Sequence, residues 1–177
     1  SSDTTAVTAY NHAGTTYNYF KTKFNRDSFN NSGAVMTTSV HVGSNYVNAY
    51  WNGSQTAFGD GDGSQASSLA KDRDVVSHEW GHAVTDYTAD MTYSNEPGAL
   101  NEAYSDIWAA SVSVYATGTV NSDTWKIGEL CWTPATSGDA LRYMNNPTAD
   151  GSSYDYYPER YTGTSDYGGV HLNSGIG

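Results

Sequence analysis

Apolar residues recur at helical spacing at the start of the chain. Over residues 3–25 they fall on one face of a predicted helix, with Asp3 or Thr4 as its N-cap: Ala6, Val7, Ala9, Tyr10, Ala13, Tyr17, Phe20 and Phe24. Two β-rich segments follow at residues 35–42 and 46–51, and Gly43-Ser44-Asn45 between them predicts a hairpin. The Gly- and Asp-rich stretch 59–63 predicts a loop that ends the sheet.

Two further helices are predicted, from about residue 72 to residue 88 and over residues 99–117. The second carries apolar residues on nearly all of its faces, so it is expected to be buried. Beyond Gly118 the chain is rich in Gly, Pro, Asp and Tyr and is expected to be irregular, until a last segment that could begin another helix near Gly177.

Composition narrows the classes of partner. The chain has 19 Asp and Glu against 8 Lys and Arg, for a formal net charge of −11, which argues against nucleic acid or an anionic membrane as a partner. No run approaches the roughly 18 apolar residues of a membrane span. The single Cys131 cannot form an internal disulfide, and 15 Tyr and 5 Trp beside many small polar residues favour an extracellular enzyme.

The chemistry concentrates in His78-Glu79-Trp80-Gly81-His82, within the helix predicted from residue 72. Two histidines four residues apart lie on one helical face and can reach one tetrahedral ion, most often zinc. Glu79 can hold a water molecule at that ion without binding the ion itself. Random order would give only about 0.004 such matches in this chain. The alternative is a polar helix face that carries these residues by chance.

A catalytic zinc also requires a third protein ligand and an open position for water. Glu102 is the leading candidate, because a short connector and an antiparallel second helix would return it to the histidine pair. Asp106, four residues later, could accept the free ring N–H of a ligating histidine. Both could instead be polar surface residues, but their helix is otherwise apolar, so two unpaired carboxylates there would be costly.

These motifs resemble the thermolysin family of secreted zinc endopeptidases, with matching segments at residues 78–87, 101–106, 48–53, 161–164 and 168–175. The resemblance implies an α+β fold: a thermolysin-like zincin core with a small antiparallel sheet and the zinc-binding helix pair, from which the helical C-terminal lobe is largely absent. Residues 1–117 would form the catalytic core. Residues 118–177 would be the loop-rich start of the C-terminal part, which carries the catalytic histidine. The chain would be a fragment, a nicked product or a compact relative.

The resemblance also implies roles at the metal. His78, His82 and Glu102 would bind zinc, with Asp106 behind the histidines, and Glu79 would be the general base. Hydrogen bonds to the oxyanion of the reacting carbonyl would come from two further side chains, Tyr93 and His171, and the latter would be oriented by Asp166.

Further residues would bind the substrate. Asn48 and Ala49, on an edge strand, would bind its backbone, and Arg142 would bind the carbonyl beyond the cut. The side chain just after the scissile bond would enter an apolar pocket lined by Leu69, Val75, Ile127 and Leu141. Cys131 would lie near this pocket.

Calcium has three candidate positions. Asp60 and Asp62 begin like an EF-hand loop, but Lys71 stands at its twelfth position, so a glycine turn is expected. The paired calcium site of the family is expected to be absent. Asp74 and Glu129 match its ligands, whereas Ser113, Thr124 and Lys126 replace carboxylates, and Lys126 could neutralise Asp74. A single calcium stays open at the loop 132–139, with the ligands Trp132, Thr133, Thr136 and Asp139.

The leading functional hypothesis is a secreted zinc endopeptidase. It would act on peptides and proteins, prefer apolar side chains just after the scissile bond, and have a propeptide during maturation. The first alternative is a truncated zinc-binding core with little or no activity. The second is a zinc aminopeptidase, although no Gly-rich or acidic motif is evidently placed to capture a free amine.

Overall fold

A computed structural model describes residues 2–177 of the chain. Its helices are α1 (Thr4–Phe24), α2 (Arg73–Asp86), α3 (Asn95–Thr117) and the short α4 (Asp166–Gly169). Its strands are β1 (Thr38–Ser39), β2 (Ala49–Trp51), β3 (Thr56–Phe58), β4 (Lys126–Ile127) and β5 (Arg142–Tyr143). Single 3-10 turns lie at Leu69–Lys71, Ser122–Trp125, Pro147–Asp150, Tyr157–Glu159 and Ser174–Ile176. This mixture of helices and small sheets agrees with an α+β fold.

The first helix forms as predicted. Asp3 is its N-cap, and its side chain accepts a hydrogen bond from the backbone N–H of Ala6 at 3.1 Å. The helix ends where Asn25 adopts a left-handed conformation with φ of 51°. Its buried face packs against α2 and α3, so this helix supports the two elements that carry the metal motifs.

The three-stranded sheet differs from the prediction. Its order is β1-β3-β2, with β3 antiparallel to β2 and parallel to β1. The predicted hairpin between residues 35–42 and 46–51, and a purely antiparallel sheet, are therefore wrong. Within residues 2–177 β2 pairs only with β3, so its other edge is unpaired in this part of the chain.

In this sheet the strand that was not predicted is β3, which has only three residues. An Asn52-Gly53 turn joins it to β2, and the Asn52 side chain accepts hydrogen bonds from the backbone N–H groups of Ser54 and Gln55, both at 3.0 Å. Asn-Gly between apolar segments is a strong hairpin signal, so this pair was the clue to the correct pairing.

Both helices that carry the candidate metal ligands form as predicted, with small shifts at their ends. The second begins at Asn95, one turn earlier than expected, because Pro97 is tolerated in the first turn of a helix. The two helices approach closely at Gly81, where an added Cβ would lie 3.0 Å from the Cα of Ser105. No helix in residues 2–177 combines the length and apolarity needed to cross a membrane.

Trp80 separates the sheet from the metal side of α2. It is fully buried, and its ring lies 5.5 Å from that of Phe29 and 5.6 Å from that of Trp51. The large indole thus anchors one face of α2 to the aromatic core, while His78 and His82 are on another face and approach α3.

The chain after α3 is mostly irregular, as expected. The two short strands β4 and β5 pair antiparallel, with Ile127 opposite Arg142. This pairing brings both residues beside α2 and α3. The segment that could begin a helix near the end forms only the 3-10 turn Ser174–Ile176.

Candidate active site

Three side chains from α2 and α3 converge on one small volume. The Nε2 atoms of His78 and His82 are 3.0 Å apart, and each lies 3.2 Å from an oxygen of Glu102. Four ligands around zinc at about 2.0–2.1 Å would stand about 3.3 Å from one another. Glu102 is fully buried, and its Oε2 has no hydrogen-bond partner. The donor types, their spacing and this buried oxygen without a hydrogen bond all fit a zinc ion.

Acceptors behind the histidines determine which nitrogen faces the gap. His78 Nδ1 lies 2.8 Å from an oxygen of Asp106, and His82 Nδ1 lies 2.7 Å from Oδ1 of Asn101. Each acceptor favours a proton on Nδ1, which leaves the lone pair of Nε2 directed toward the gap. Ser105 Oγ, at 3.1 Å from His82 Nδ1, adds a second contact.

Asn101 is a candidate site residue that sequence reasoning missed. It directly precedes Glu102, and its amide supports the second histidine in the way that Asp106 supports the first. The signal was available in principle, because each ligating histidine needs its own outer acceptor and only one had been assigned.

Arg142 lines the cleft and also forms an ion pair with Asp106. Its Nε and Nη2 donate to the two oxygens of Asp106, each at 2.7 Å, in a two-point ion pair. Burial opposes the ionisation of both groups, but the pairing lowers the pKa of Asp106 to about 2 and raises that of Arg142. Since Arg142 also lines the cleft, it connects β5 to the outer side of His78.

Without a metal the site binds protons. Burial disfavours a charged His78, but Glu102 and Asp106 outweigh burial and raise the pKa of His78 to about 10. Burial likewise opposes ionisation of Glu102, but the two histidines hold its pKa well below the usual range. A metal ion that binds here must therefore displace protons, so its affinity is expected to fall with decreasing pH.

Tyr93, Asp166 and His171 lie against the same glutamate. The Tyr93 hydroxyl donates to Oε1 of Glu102 and is 3.3 Å from His171 Nε2, which is itself 3.2 Å from that oxygen. Asp166 accepts from His171 through both the ring Nδ1, at 2.6 Å, and the backbone N–H, at 2.8 Å. Burial opposes protonation of His171, but Asp166 and Glu102 together outweigh it, and the pKa of this ring rises to about 9.

One cleft of about 920 Å³ collects the predicted catalytic and substrate residues. Glu79, only 7% exposed, lies in its wall beside His78. The cleft is also lined by the following predicted residues: Asn48, Ala49, Leu69, Val75, Ile127, Leu141, Arg142, Tyr93 and His171. The structure therefore places the whole expected set, with Asp166 behind His171, around one space.

In the candidate calcium loop, residues 132–139, the Asp139 carboxylate accepts hydrogen bonds from the protein itself. Asp139 accepts from the Thr133 hydroxyl at 2.6 Å, the Tyr143 hydroxyl at 2.7 Å and the backbone N–H of Ala140 at 2.9 Å. Trp132 lines the active-site cleft. Calcium at this loop, with Thr136 as a further ligand, remains a prediction.

A second carboxylate group lies at the start of α2. Asp72, Asp74 and Glu129 have oxygens within 4.8 Å of one another. Lys126 does not neutralise Asp74, as sequence reasoning had suggested, because it pairs with Asp123 at 2.9 Å. Burial, and then the neighbouring Asp72, raise the pKa of Asp74 well above its ordinary value. The absence of a paired calcium site stays a prediction.

Together, the fold and the site define a protein with the His-Glu-x-x-His motif of metallopeptidases and a third candidate metal ligand on the following helix. Two family models match nearly the whole chain: thermolysin metallopeptidase, catalytic domain, over residues 1–86, and thermolysin metallopeptidase, alpha-helical domain, over residues 89–177. The chain therefore belongs to the thermolysin family of metallopeptidases.

Individual relatives agree with this assignment. Bacillolysin of Bacillus cereus is 52% identical over 174 residues, and thermolysin of Alicyclobacillus acidocaldarius subsp. acidocaldarius is 49% identical over 174 residues. Both alignments cover 98% of this chain but only 30% and 31% of the relatives, so the chain spans about a third of their length. The precursor of protealysin, a metalloproteinase from Serratia proteamaculans, has a similar structure, with a TM-score of 0.90 and 35% identity over 98% of this chain and 57% of that chain.

Proposed function

We propose that this chain forms the catalytic core of a zinc endopeptidase that hydrolyses internal peptide bonds. The observation that carries the proposal is the single cleft in which a three-ligand metal group, a neighbouring glutamate and two hydrogen-bond donors converge. Bound zinc, held by His78, His82 and Glu102, would act as a Lewis acid and lower the pKa of a water molecule toward neutrality.

The protein's own side chains supply the proton transfers and the charge stabilisation. Glu79 takes a proton from the attacking water and delivers it to the leaving amine. The Tyr93 hydroxyl and His171 Nε2 face the same space, where they donate hydrogen bonds to the oxyanion that develops on the substrate carbonyl. Donors of this kind contribute about 3 kcal/mol each. Asp166 keeps the His171 ring in position.

The free edge of β2 suits an extended peptide. Main-chain hydrogen bonds to this edge at Ala49 would hold internal segments with little dependence on sequence. Asn48, whose carbonyl already accepts from the backbone N–H of Gly59 at 3.0 Å, would bind the peptide backbone through its side-chain amide. Four apolar side chains in the cleft would accept an apolar side chain just after the scissile bond: Leu69, Val75, Ile127 and Leu141. Arg142 would bind the next carbonyl while it remains paired with Asp106.

Further expectations concern the rest of the protein. A helical C-terminal lobe would pack against the exposed apolar side chains of α3, Leu100, Tyr104 and Ile107, and form the far wall of the cleft. A secreted location is supported by the acidic, Tyr-rich composition. A propeptide during maturation is supported by the likeness to a precursor form of protealysin.

Cleavage of an internally quenched peptide with Leu after the scissile bond tests the proposal on zinc-loaded protein. Glu79→Gln should lower the rate by about 10²–10⁴-fold, because it removes the acid and base of the reaction. Zinc content, measured on the same samples, should be unchanged, since Glu79 is not a ligand. Glu159→Gln, at an exposed glutamate outside the cleft, is the matched control and should retain full activity.

Other results would select an alternative. No cleavage by the zinc-loaded protein would favour an inactive zinc-binding core. Removal of residues only from the free amino terminus of the peptide would favour an aminopeptidase. Equal activity of the Glu79→Gln and wild-type proteins would contradict the proposed proton transfer.

A further inference from the structure

Four consecutive residues near the catalytic histidine have a left-handed backbone. The φ angles are 52° at Asp166, 51° at Tyr167, 88° at Gly168 and 87° at Gly169. Glycine adopts this conformation freely and aspartate tolerates it, but a bulky aromatic residue does so at a steric cost. Strained residues of this kind persist where their position serves a function. Tyr167 is therefore the member of the turn that needs an explanation.

Both ends of this turn are fixed by close contacts. An added Cβ on Gly168 would lie 2.2 Å from Oδ1 of Asn95, at the start of α3. Asp166 accepts hydrogen bonds from the backbone N–H groups of His171 at 2.8 Å and Leu172 at 3.1 Å. The turn cannot rotate without breaking these contacts, so the direction of the Tyr167 side chain is set by the same structure that orients His171.

Tyr167 lies in the cleft wall and remains 69% exposed. Its ring contacts that of Tyr93 edge-to-face, with centroids 5.8 Å apart and planes at 63°. Tyr93 in turn packs edge-to-face on His82, at 5.7 Å and 82°. The two tyrosines thus form a row that leads along the cleft away from the second metal-binding histidine.

The apolar pocket lies toward the other histidine. Arg142, next to Leu141 of that pocket, has its Nη2 3.5 Å from Nδ1 of His78. The pocket and the tyrosine row therefore flank different members of the histidine pair. Consider a peptide that crosses the metal site with the side chain after its scissile bond in the apolar pocket. The side chain before the scissile bond then points toward the tyrosine row.

We infer that Tyr167, together with Tyr93, forms an aromatic wall that selects an aromatic side chain immediately before the scissile bond. This inference rests on the proposed function for the direction in which the peptide binds. Offset and edge-to-face contacts between rings give such a wall a preference for aromatic over small side chains. Residues 2–177 leave one face of Tyr167 exposed toward the cleft.

The test compares two peptides that differ only in Phe or Ala before the scissile bond, with Leu after it. Binding is measured by calorimetry in a zinc-loaded Glu79→Gln background, so that neither peptide is consumed. The Phe peptide should bind about fivefold more tightly than the Ala peptide. Tyr167→Asn should remove this difference, because Asn suits a left-handed backbone but offers no ring.

Two control variants test whether the preference for the Phe peptide depends on the aromatic ring of Tyr167. Tyr167→Phe should keep the preference, and Tyr10→Asn, at an exposed tyrosine on α1 outside the cleft, should leave it unchanged. Equal affinity for the two peptides, or a Phe preference that survives Tyr167→Asn, would overturn the inference. The same peptides are then given to protein with an intact Glu79. Absence of cleavage there would contradict the proposed hydrolysis, while a binding preference lost in Tyr167→Asn would still support the aromatic wall.

Discussion

Two groups of potential metal ligands include residues at or near α2, and the groups differ in the hydrogen bonds and charges that surround them. At His78, His82 and Glu102, outer acceptors hold the histidines so that lone pairs converge. At Asp72, Asp74 and Glu129, three carboxylates approach one another, and burial together with mutual repulsion raises the pKa of Asp74. In the absence of an ion both groups hold a proton, but opposite charges favour it on His78 in the first group, whereas burial and repulsion between like charges favour it on Asp74 in the second. Proximity alone does not make the two groups equivalent.

The largest expected effect comes from the buried glutamate of the first group. Glu102→Gln removes the only negative ligand, so zinc affinity should fall by more than the roughly 10–100-fold typical of losing an outer partner. Competition with a chromogenic chelator measures this change. Glu159→Gln, at an exposed glutamate, should leave zinc affinity unaltered. An unchanged affinity in Glu102→Gln would contradict the assignment of this ligand.

Loss of an outer acceptor should have a smaller effect. Asn101→Ala removes the partner of His82 Nδ1, so zinc should bind about 10–100-fold more weakly. Competition with the same chromogenic chelator measures the zinc affinity of this variant. If zinc affinity were the same as in the wild-type protein, Ser105 alone would be sufficient to orient this histidine.

In the second group, Asp72, Asp74 and Glu129, removal of a negative charge should stabilise the protein rather than weaken it. The folded-state pKa of Asp74 is raised, so this carboxyl stabilises the fold at low pH, and that contribution is lost as pH rises through the folded-state pKa. In calcium-free buffer at pH 8, Asp74→Asn should raise the free energy of unfolding by about 1 kcal/mol.

Thermal unfolding of zinc-loaded samples measures this difference, and an increase of about 2–4 °C is expected. The gain should shrink toward pH 4, where the wild-type carboxyl is protonated. Asp123→Asn, on the exposed partner of Lys126, is the control and should show no comparable gain. A destabilised Asp74→Asn protein at pH 8 would mean that the charged carboxylate is needed.

Calcium should produce the smallest effect. Ser113, Thr124 and Lys126 stand where the paired site of the family would need carboxylates, so titration should reveal no two tightly coupled ions near Asp74. Calorimetry of the zinc-loaded protein with calcium tests this expectation. Two coupled binding events that disappear in Asp74→Asn would reverse it.

Short-range spacing made part of this molecule predictable. The His78 and His82 pair follows from helical geometry alone, and α1, α2 and α3 follow from the period of their apolar residues. Glu102 could be assigned because only a short connector separates the two helices. Each of these predictions depends on residues that are close in sequence.

Long-range pairing was harder to predict. The parallel contact between β1 and β3 joins segments that no local turn connects, and three-residue strands carry almost no periodic signal. The pairing of Arg142 with Asp106, 36 residues earlier, likewise depends on tertiary placement. Residues that support a ligand are therefore less visible in sequence than the ligand itself.

The ion pair between Arg142 and Asp106 has a consequence for charge balance. Glu79, Glu102 and Asp106 bring three negative charges to the buried site, and Arg142 returns one positive charge. A divalent cation would make this group formally neutral, whereas a monovalent or trivalent ion would leave an uncompensated buried charge, which is costly. We therefore expect the arginine to contribute to valence selection at a metal that it would not itself bind.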